Sequence, residues 1–384
     1  MKWEKVKLGD VCEITSSKRI FYSEYVDDGV PFYRSKEIIE SDEGKIIENP
    51  LYISVDKYNE IKEKFGVPQT GDMLLTSVGT IGIPYIIKKK DCFYFKDGNL
   101  TWFRDFREDL NSKYLYYWIK SSEGTGTLYN TTIGSSQKAL TISALKNIKV
   151  SLPPRSVQDK IVEVVSVYDD LIENNQKQIK LLEEAAQRLY KEWFVDLRFP
   201  GHENTKIVDG VPEEWRKFPL EEIAPVVTGK KDANYGDKGG NYPFFTCSQE
   251  TITAPGYSFD TSAVILAGNG DFNVKLYRGK FEAYQRTYVL APFDHSNLFN
   301  LYFTVQNNME ALAKGASGST IKFLTKGMLQ KILVLTADKK ILDKFNDYEE
   351  NIQQKVEALK KQVEDLTEIR NRLLPKLMSG EVEV

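Results

Sequence analysis

Two short basic segments are the first candidates for chemistry in this chain of 384 residues. SSKR (residues 16–19) and TGKK (228–231) occupy corresponding places in two similar halves of the sequence. Lysine and arginine side chains at such places can hold phosphate groups of DNA. The candidate phosphate contacts are Lys18, Arg19, Lys230 and Lys231. A solvated turn is the alternative interpretation of both segments.

A second pair of corresponding segments differs in chemistry. YRSK (33–36) in the first half matches FTCS (245–248) in the second. Arginine, lysine, serine and threonine all contact base edges, so a change of type at one position suits recognition of two different sequences. The candidates are Arg34, Lys36, Thr246 and Ser248. The alternative is that these are edge-strand residues without a ligand.

A third pair consists of glycine-containing loops that follow apolar runs. They are TSVGTIG (76–82) and AGNGDF (267–272), where glycine permits close approach of the backbone to a ligand. The polar residues that could approach DNA are Ser77, Thr80, Asn269 and Asp271. Neither segment has the GxGxxG or GxxxxGK[ST] pattern of a nucleotide-binding loop, and a plain turn is the alternative.

The fourth pair opens a long internal repeat. GSSQKALTISALKNIKVSLP starts at position 134, and GSTIKFLTKGMLQKILVLTA starts at 318, 184 positions later. The candidate contacts here are Ser135, Gln137, Lys138, Ser319 and Lys322. Ile321 replaces Gln137, so the shared residues could fix the loop on its domain while the changed residue tunes specificity.

The repeat extends through most of the chain. Near the amino ends of the two halves the offset is 212, with Trp3 on Trp215 and Phe32 on Phe244. Because the offset later falls to 184, the first half carries 28 extra residues, most of them between Lys36 and Val78. The chain is therefore two copies of one frame, the first with an insertion.

Composition excludes several classes of protein. Three cysteines without close spacing predict neither a disulfide framework nor a zinc site, and two histidines argue against a histidine-based triad. No signal peptide or long apolar run is present, so we expect a cytoplasmic protein. The net charge of −3 means that DNA contact would depend on local clusters of cations.

Two long helices are predicted at matching places, over residues 153–198 and 338–378. The first has a seam of apolar residues spaced by fours and threes: Ile161, Val165, Tyr168, Ile172, Ile179, Leu182, Ala186 and Leu189. Ser156 is its expected N-cap, and Asn175 is a polar seam residue that fixes register. The second helix is expected to start near Asp338 and to fray or kink at Pro375.

A helix of about 40 residues is about 60 Å long, too long for one small domain to cover. The two helices are therefore expected to pair as an antiparallel coiled coil. The alternative is that each packs only on its own domain. The rest of the chain alternates β-rich runs with turn clusters, which predicts an α+β fold: two similar mixed α/β domains, each followed by a long helix, related by a pseudo-twofold axis.

The joint arrangement of several segments resembles a known family. EAAQRLYKEWFVDLRFPGHE (184–203), VPEEWRKFPLEEI (211–223) and RLLPKLMSGEVEV (372–384) are similar to the specificity subunit of type I restriction-modification systems. The resemblance implies target-recognition domains at 1–152 and 215–337. It also implies spacer helices at 153–198 and 338–378, a linker at 199–214 and a tail at 379–384.

The resemblance implies the partners as well. They are double-stranded DNA, two DNA adenine methyltransferase subunits that use S-adenosylmethionine, and translocating nuclease subunits, with no membrane. This chain itself would be non-catalytic, without cofactor or metal, and would recognise an asymmetric bipartite site with a fixed gap. The alternatives are a self-contained enzyme, which the absence of an [ND]PP[YF] run disfavours, and a protein-only scaffold with two adaptor domains on a coiled coil.

Overall fold

The computed structural model describes residues 3–45, 47–134, 138–318 and 322–384. The chain forms two compact units. The first unit comprises Met1–Lys177 and Lys360–Val384, and the second comprises Gln178–Leu359. Each unit therefore contains one α/β region together with portions of both long helices.

Within the described residues, the first unit contains three small sheets. Its strands are β1 Glu4–Lys7, β2 Glu13–Thr15, β3 Tyr25–Val26, β4 Val30–Tyr33, β5 Leu51–Ile53, β6 Met73–Thr76, β7 Pro84–Ile86, β8 Tyr94–Phe95, β9 Leu100–Arg104 and β10 Lys149–Leu152. They form sheets in the orders β1-β10, β2-β9-β6-β7 and β3-β5-β4-β8. Its helices are α1 Leu8–Val11, α2 Ser35–Asp42, α3 Val55–Phe65, α4 Ser112–Lys120, α5 Ser122–Thr131, α6 Ile142–Asn147 and the first part of α7 Arg155–Tyr190.

The second unit is built on one larger sheet. Its strands are β11 Ile207–Val208, β12 Val211–Pro212, β13 Arg216–Pro219, β14 Val226–Thr228, β15 Tyr242–Phe245, β16 Ile252–Ala254, β17 Phe259–Ala267, β18 Val274–Ala283, β19 Thr287–Leu290 and β20 Leu333–Thr336. The main sheet has the order β14-β19-β17-β18-β15-β16, and β11-β12 and β13-β20 form separate pairs. Its helices are α8 Leu220–Ile223, α9 Leu298–Asn307, α10 Met309–Gly315, α11 Lys326–Gln330 and the first part of α12 Lys339–Ser379.

The two α/β regions share one frame, as the repeat predicts. In each, the first strand pairs with the last, β1 with β10 and β13 with β20, both antiparallel. A short parallel pair also recurs, with Phe32 opposite Tyr94 in one unit and Phe244 opposite Glu282 in the other. The predicted insertion is confirmed, because α2 and α3 of the first unit lie between Lys36 and Val78 or directly beside that interval, whereas β5 pairs with β4 as β16 pairs with β15.

The long helices pack against each other inside the first unit. Asn175 donates a hydrogen bond to Gln362 (3.2 Å), and Arg370 donates one to Asp169 (2.6 Å). Since rising residue numbers on α7 meet falling numbers on α12, the predicted antiparallel pairing is confirmed in this unit. The apolar part of the seam, including Ile161 and Leu377, joins the core of the α/β region.

In the second unit the helices pack through aromatic rings. Tyr190 of α7 stacks on Phe303 of α9 with centroids 5.4 Å apart, and its hydroxyl is 3.0 Å from that of Thr304. Phe194 and Phe345 meet edge to face at 4.9 Å. This cluster attaches the helices to the α/β region of the same unit.

Two details of the predicted helices are wrong. The first helix begins at Arg155 and not at an N-cap on Ser156, because the Val157 N–H donates to the Pro154 carbonyl (2.9 Å). Its predicted end at residue 198 is close to the observed one, because the α-helix to Tyr190 continues as a π-helical turn over Lys191–Val195. The second helix does not fray at Pro375, since it runs to Ser379. Burial of the neighbouring Leu374 and Leu377 offsets the hydrogen bond that proline lacks.

Glu349 is a buried carboxyl group on α12 in the second unit. Neither of its carboxylate oxygens has a hydrogen-bond partner within the described part of the chain. Burial raises the pKa of Glu349 to about 8, because a low-dielectric interior disfavours the charged form. The Glu349 side chain is therefore neutral in the folded protein at mildly acid pH.

Replacing Glu349 with glutamine is expected to stabilise the protein at alkaline pH. Between the ordinary glutamate pKa of 4.5 and about 8, the folded chain holds a proton that the unfolded chain releases, so wild-type stability falls as pH rises through that window. The variant should gain on the order of 1 kcal/mol per pH unit relative to wild type across it. Thermal unfolding at about pH 5.5 and about pH 8.5 measures this difference.

Glu350→Gln is the matched control for that experiment. Although burial opposes its ionisation, the hydrogen bond from Arg278 (2.6 Å) leaves the pKa of Glu350 below its ordinary value. Removing this carboxylate should therefore destabilise the protein at alkaline pH, the opposite sign to Glu349→Gln. An equal effect of Glu349→Gln at both pH values would contradict a buried neutral carboxyl.

Candidate nucleic-acid interface

Loops of the second unit meet at one edge of its six-stranded sheet. We call residues 228–232, 246–250, 268–273, 284–287 and 317–318 with 322–323 the second loop edge. Backbone hydrogen bonds join the segments: the Gln285 N–H donates to the Lys231 carbonyl (2.9 Å), and the Gly268 N–H donates to the Arg286 carbonyl (2.9 Å). The Leu324 N–H donates to the Gly268 carbonyl (2.8 Å) and ties in the repeated motif.

The first unit builds the same edge. The first loop edge comprises residues 16–19, 33–36, 77–82, 96–99 and 133–134 with 138–139. The Ser77 N–H donates to the Asn99 carbonyl (2.8 Å), and the Leu140 N–H donates to the Ser77 carbonyl (2.9 Å). The Lys96 N–H donates to the Tyr33 carbonyl (2.8 Å). Each set of candidate loops, separated in sequence, is thus brought together in its own unit.

In the first unit several predicted cations have acidic partners. Arg19 forms a salt bridge with Asp97 (2.8 Å), and the Arg19 side chain remains 69% exposed. Arg34 precedes α2 and binds Glu37 through its side chain (2.6 Å) and its backbone N–H (2.8 Å). Lys36 lies 3.6 Å from Glu40 one helical turn later. These pairs reduce the positive charge that the first loop edge presents.

The ion pair between Arg34 and Glu37 also determines the charge state of Glu37 in α2. Burial opposes ionisation of Glu37, but the hydrogen bonds from Arg34 outweigh it and lower the pKa of the Glu37 carboxyl. Glu37 is therefore a buried carboxylate that holds Arg34 in place. In the second unit the corresponding Thr246 and Ser248 lie in a turn, where the Ser248 N–H donates to the Thr246 hydroxyl (3.2 Å). A helix start in one unit thus corresponds to a polar turn in the other.

Lys18 lies in a groove of the first loop edge. Its Nζ is 4.2 Å from the centre of the Phe65 ring, and its backbone N–H donates to the Tyr94 hydroxyl (2.6 Å). Lys64 and Arg104 line the same groove, which has a volume of about 330 Å³. Lys64 already pairs with Glu60 (3.0 Å) and Arg104 with Glu13 (2.6 Å), so Lys18 is the cation of this groove that forms no salt bridge among the described residues.

The remaining predicted residues of the first unit differ in exposure. Ser77 is buried, and its hydroxyl is 2.6 Å from that of Thr101, so its side chain belongs to the sheet. Thr80 is exposed, and the Nζ of Lys138 lies 3.6 Å from the centre of the Tyr129 ring. Ser135, Gln137 and Ser319 lie outside the described residues.

The second loop edge has a different charge pattern. Within the described residues, no carboxylate lies in salt-bridge distance of the predicted cations Lys230, Lys231 and Lys322. Lys231 instead lies over the Tyr235 ring at 4.3 Å. Asn269 bridges to Phe323 of the repeated motif, and Asp271 is exposed beside it. Among the described residues, this edge therefore presents three lysines that form no salt bridge.

Residues missed by the sequence interpretation lie between the predicted ones. Asn99 lines a cavity of about 690 Å³ with Arg19 and Arg34, and the exposed rings of Phe21 and Tyr22 form part of its wall. Its turn carries an Asp-Gly pair, a turn signal that could have located it. The equivalent turn in the second unit, residues 284–286, contains no Asp-Gly pair. Arg286 could therefore have been located only by aligning the two halves of the repeat.

Lys275 is another missed cation of the second unit. Its Nζ donates to the Ser248 carbonyl (2.8 Å), and burial lowers the pKa of its ammonium group. Among the described residues, no group of three or more His, Cys, Asp or Glu is placed to hold a metal ion. No helix in the described ranges is long and apolar enough to span a membrane.

The chain is similar to known proteins along most of its length. The family model for the type I restriction modification DNA specificity domain matches residues 1–184 and 212–365. The EcoDI specificity subunit of Escherichia coli is 37% identical over 45% of this chain, an alignment that covers only 39% of that relative. The MjaIX specificity subunit of Methanocaldococcus jannaschii is 26% identical over 100% of this chain and 94% of the relative.

A solved structure supports the fold. The type I restriction-modification S subunit from M. genitalium aligns with 98% of this chain and 96% of its own at a TM-score of 0.62, with 17% identity. The fold is that of a protein with two related recognition domains, each with its own loop edge and each connected to a long helix. By its two matches to the family model, the chain belongs to the type I restriction-modification DNA specificity family.

Replacing Gly268 with alanine is expected to open the second loop edge. A Cβ at this position would overlap the Arg286 carbonyl oxygen and contact the Tyr288 ring at 2.9 Å. The backbone hydrogen bonds of Gly268 to residues 286 and 324 should therefore weaken, with faster amide exchange in both segments. Hydrogen–deuterium exchange measured on peptides covering 264–290 and 317–330 checks this.

Gly327→Ala is the matched control for Gly268→Ala. Gly327 lies in α11 of the same unit, and apart from its chain neighbours no heavy atom of the described residues lies within 4 Å of its added Cβ. That variant should keep the wild-type exchange pattern and gain up to about 1 kcal/mol from helix propensity. Unchanged exchange in Gly268→Ala would show that the 268–286 contact does not hold the edge together.

Proposed function

We propose that this chain is the DNA-recognition subunit of a type I restriction-modification complex. Each unit reads one half of an asymmetric bipartite site, and the long helices set a fixed gap between the halves. Two DNA adenine methyltransferase subunits, which bind S-adenosylmethionine, dock on the helices, and translocating nuclease subunits join the complex. The chain itself carries out no chemistry and works in the cytoplasm.

The observation that carries the proposal is the repeated loop edge with different side chains. The same backbone hydrogen bonds recur at Ser77 and Gly268, while the residues around them change. The two edges share one backbone arrangement but carry different side chains, which suits recognition of two different half-sites on one duplex. Family membership supports DNA as the ligand.

Charge placement supports the same conclusion. The net charge of −3 is unfavourable for a polyanion, yet cations collect at the loop edges. Lys230, Lys231 and Lys322 lie at the second edge without acidic partners among the described residues, and Lys18 lines a groove of the first edge. Phosphate contacts of this kind fix the register of a protein on DNA and leave base edges to other side chains.

A methylation map tests the proposed function. Methylated adenines are mapped across the genome in cells that express the partner methyltransferase, with and without this chain. One asymmetric bipartite motif with a fixed gap should appear only when the chain is present. Identical maps, with the methyltransferase shown to be active, would reject the proposal and favour a protein-only scaffold.

Replacing Lys230 and Lys231 together with alanine is expected to weaken DNA binding equally on all sequences. Two lost phosphate contacts should reduce the slope of log K against log salt by about 1.8. Fluorescence anisotropy of the assembled complex on a cognate and a scrambled duplex, measured over a salt series, gives both quantities. The recognised motif should stay unchanged.

The matched control removes the same charge elsewhere in the second unit. Arg216 and Lys217 are exposed neighbours on β13, in the two-stranded sheet and outside the loop edge. Replacing both with alanine should leave the salt slope within error of wild type. If the two double variants lose affinity to the same extent, general electrostatic attraction and not the second loop edge accounts for the effect.

A further inference from the structure

Asn99 and Arg286 occupy the same position in the two units. The Asn99 carbonyl accepts from the Ser77 N–H, and the Arg286 carbonyl accepts from the Gly268 N–H, at 2.8 and 2.9 Å. The next residue begins the equivalent strand in each case, with Leu100 opposite Thr76 and Thr287 opposite Ala267. The backbone hydrogen bonding at this turn is therefore the same in the two units, and asparagine in the first unit is replaced by arginine in the second.

The turn lies in the middle of each loop edge. In the second unit the Arg286 carbonyl also accepts from the Cys247 thiol (3.5 Å), and the adjacent Gln285 N–H donates to the Lys231 carbonyl (2.9 Å). In the first unit, Asn99 lines the cavity that also contains Arg19 and Arg34. Each turn is thus bordered by the loops that carry the cations of its unit.

The two side chains are available to a ligand. Arg286 is exposed, and no carboxylate within the described residues lies in salt-bridge distance of its guanidinium group. Asn99 is partly exposed, and the structure gives its amide group no hydrogen-bond partner among those residues. By contrast, Arg19 and Arg34 are already bound to Asp97 and Glu37.

The backbone under both side chains is held rigidly. Hydrogen bonds to the neighbouring loop fix each carbonyl, and Tyr288 supports the second turn by donating to the Leu324 carbonyl (3.0 Å). A base-reading side chain needs such support, because bidentate hydrogen bonds tolerate little displacement. Flexible lysines at the rim, such as Lys230, suit phosphates instead.

The chemistry of the two side chains assigns different bases. An asparagine amide pairs in a bidentate manner with N6 and N7 of adenine, and an arginine guanidinium pairs with O6 and N7 of guanine. We propose that Asn99 reads an adenine in the half-site of the first unit and that Arg286 reads a guanine in the half-site of the second. This inference rests on the proposed function and adds the residues and bases that set specificity.

Methylation mapping of side-chain variants tests the assignment. The assembled complex with wild-type chain should give a motif with a fixed adenine in one half and a fixed guanine in the other. Arg286→Ala should lose roughly 5- to 150-fold discrimination at that guanine alone, and Asn99→Ala should lose a similar factor at the adenine of the other half. Binding of duplexes with single base changes measures the same ratios.

Arg286→Gln gives a test that loss of folding cannot mimic. Glutamine pairs with adenine, so the preferred base at the affected position should change from guanine to adenine. Lys231→Ala is the control and should lower affinity equally on every duplex. Thermal unfolding that matches wild type verifies that each variant is folded.

The outcomes separate this inference from the proposed function. A wild-type complex that produces no bipartite motif rejects the proposed function itself. A clear motif that Arg286→Ala and Asn99→Ala leave unchanged at every position, or relax in the same half-site, overturns the base assignment only. Relaxation at single positions in opposite half-sites supports both.

Discussion

Backbone hydrogen bonds between loops are the constraint on which the rest of this structure depends. Ser77 and Gly268 each accept from the repeated motif and donate to the turn that precedes β9 or β19. These bonds bring distant loops to one edge and hold them there before any ligand arrives. Preformed loops avoid the entropy cost of ordering on binding, which would otherwise reduce affinity.

The two units share one backbone arrangement but differ in the charged side chains at their loop edges. At the first edge, Arg34 is held by the buried carboxylate of Glu37, so its charge is partly neutralised and its orientation is fixed. At the second edge, Lys231 and Lys322 have no acidic partner among the described residues. Two units with one backbone plan and unequal charge distributions fit an asymmetric ligand better than a symmetric one.

The long helices combine apolar packing with polar groups that limit it. Asn175 with Gln362 and Asp169 with Arg370 fix how α7 and α12 align inside the first unit, since any shift of register would leave these partners unpaired. Glu349 has the opposite effect in the second unit, because a buried carboxyl without a partner costs stability whenever it ionises. Polar groups in the helix contacts therefore lower stability, and those of the first unit fix the alignment of the two helices.

The sequence by itself determined the two-fold repeat, the insertion, the long helices and most strand runs, because periodicity and self-similarity are properties of residues close together along the chain. It also located loops of both edges through their polar residues. Only the tertiary structure decided that α7 starts at Arg155, that α12 passes Pro375, and that Asn99 and Arg286 lie at the centres of the edges. The physical reason is that the bonds joining these loops link backbone groups, which every residue carries, so no pattern of side chains records them.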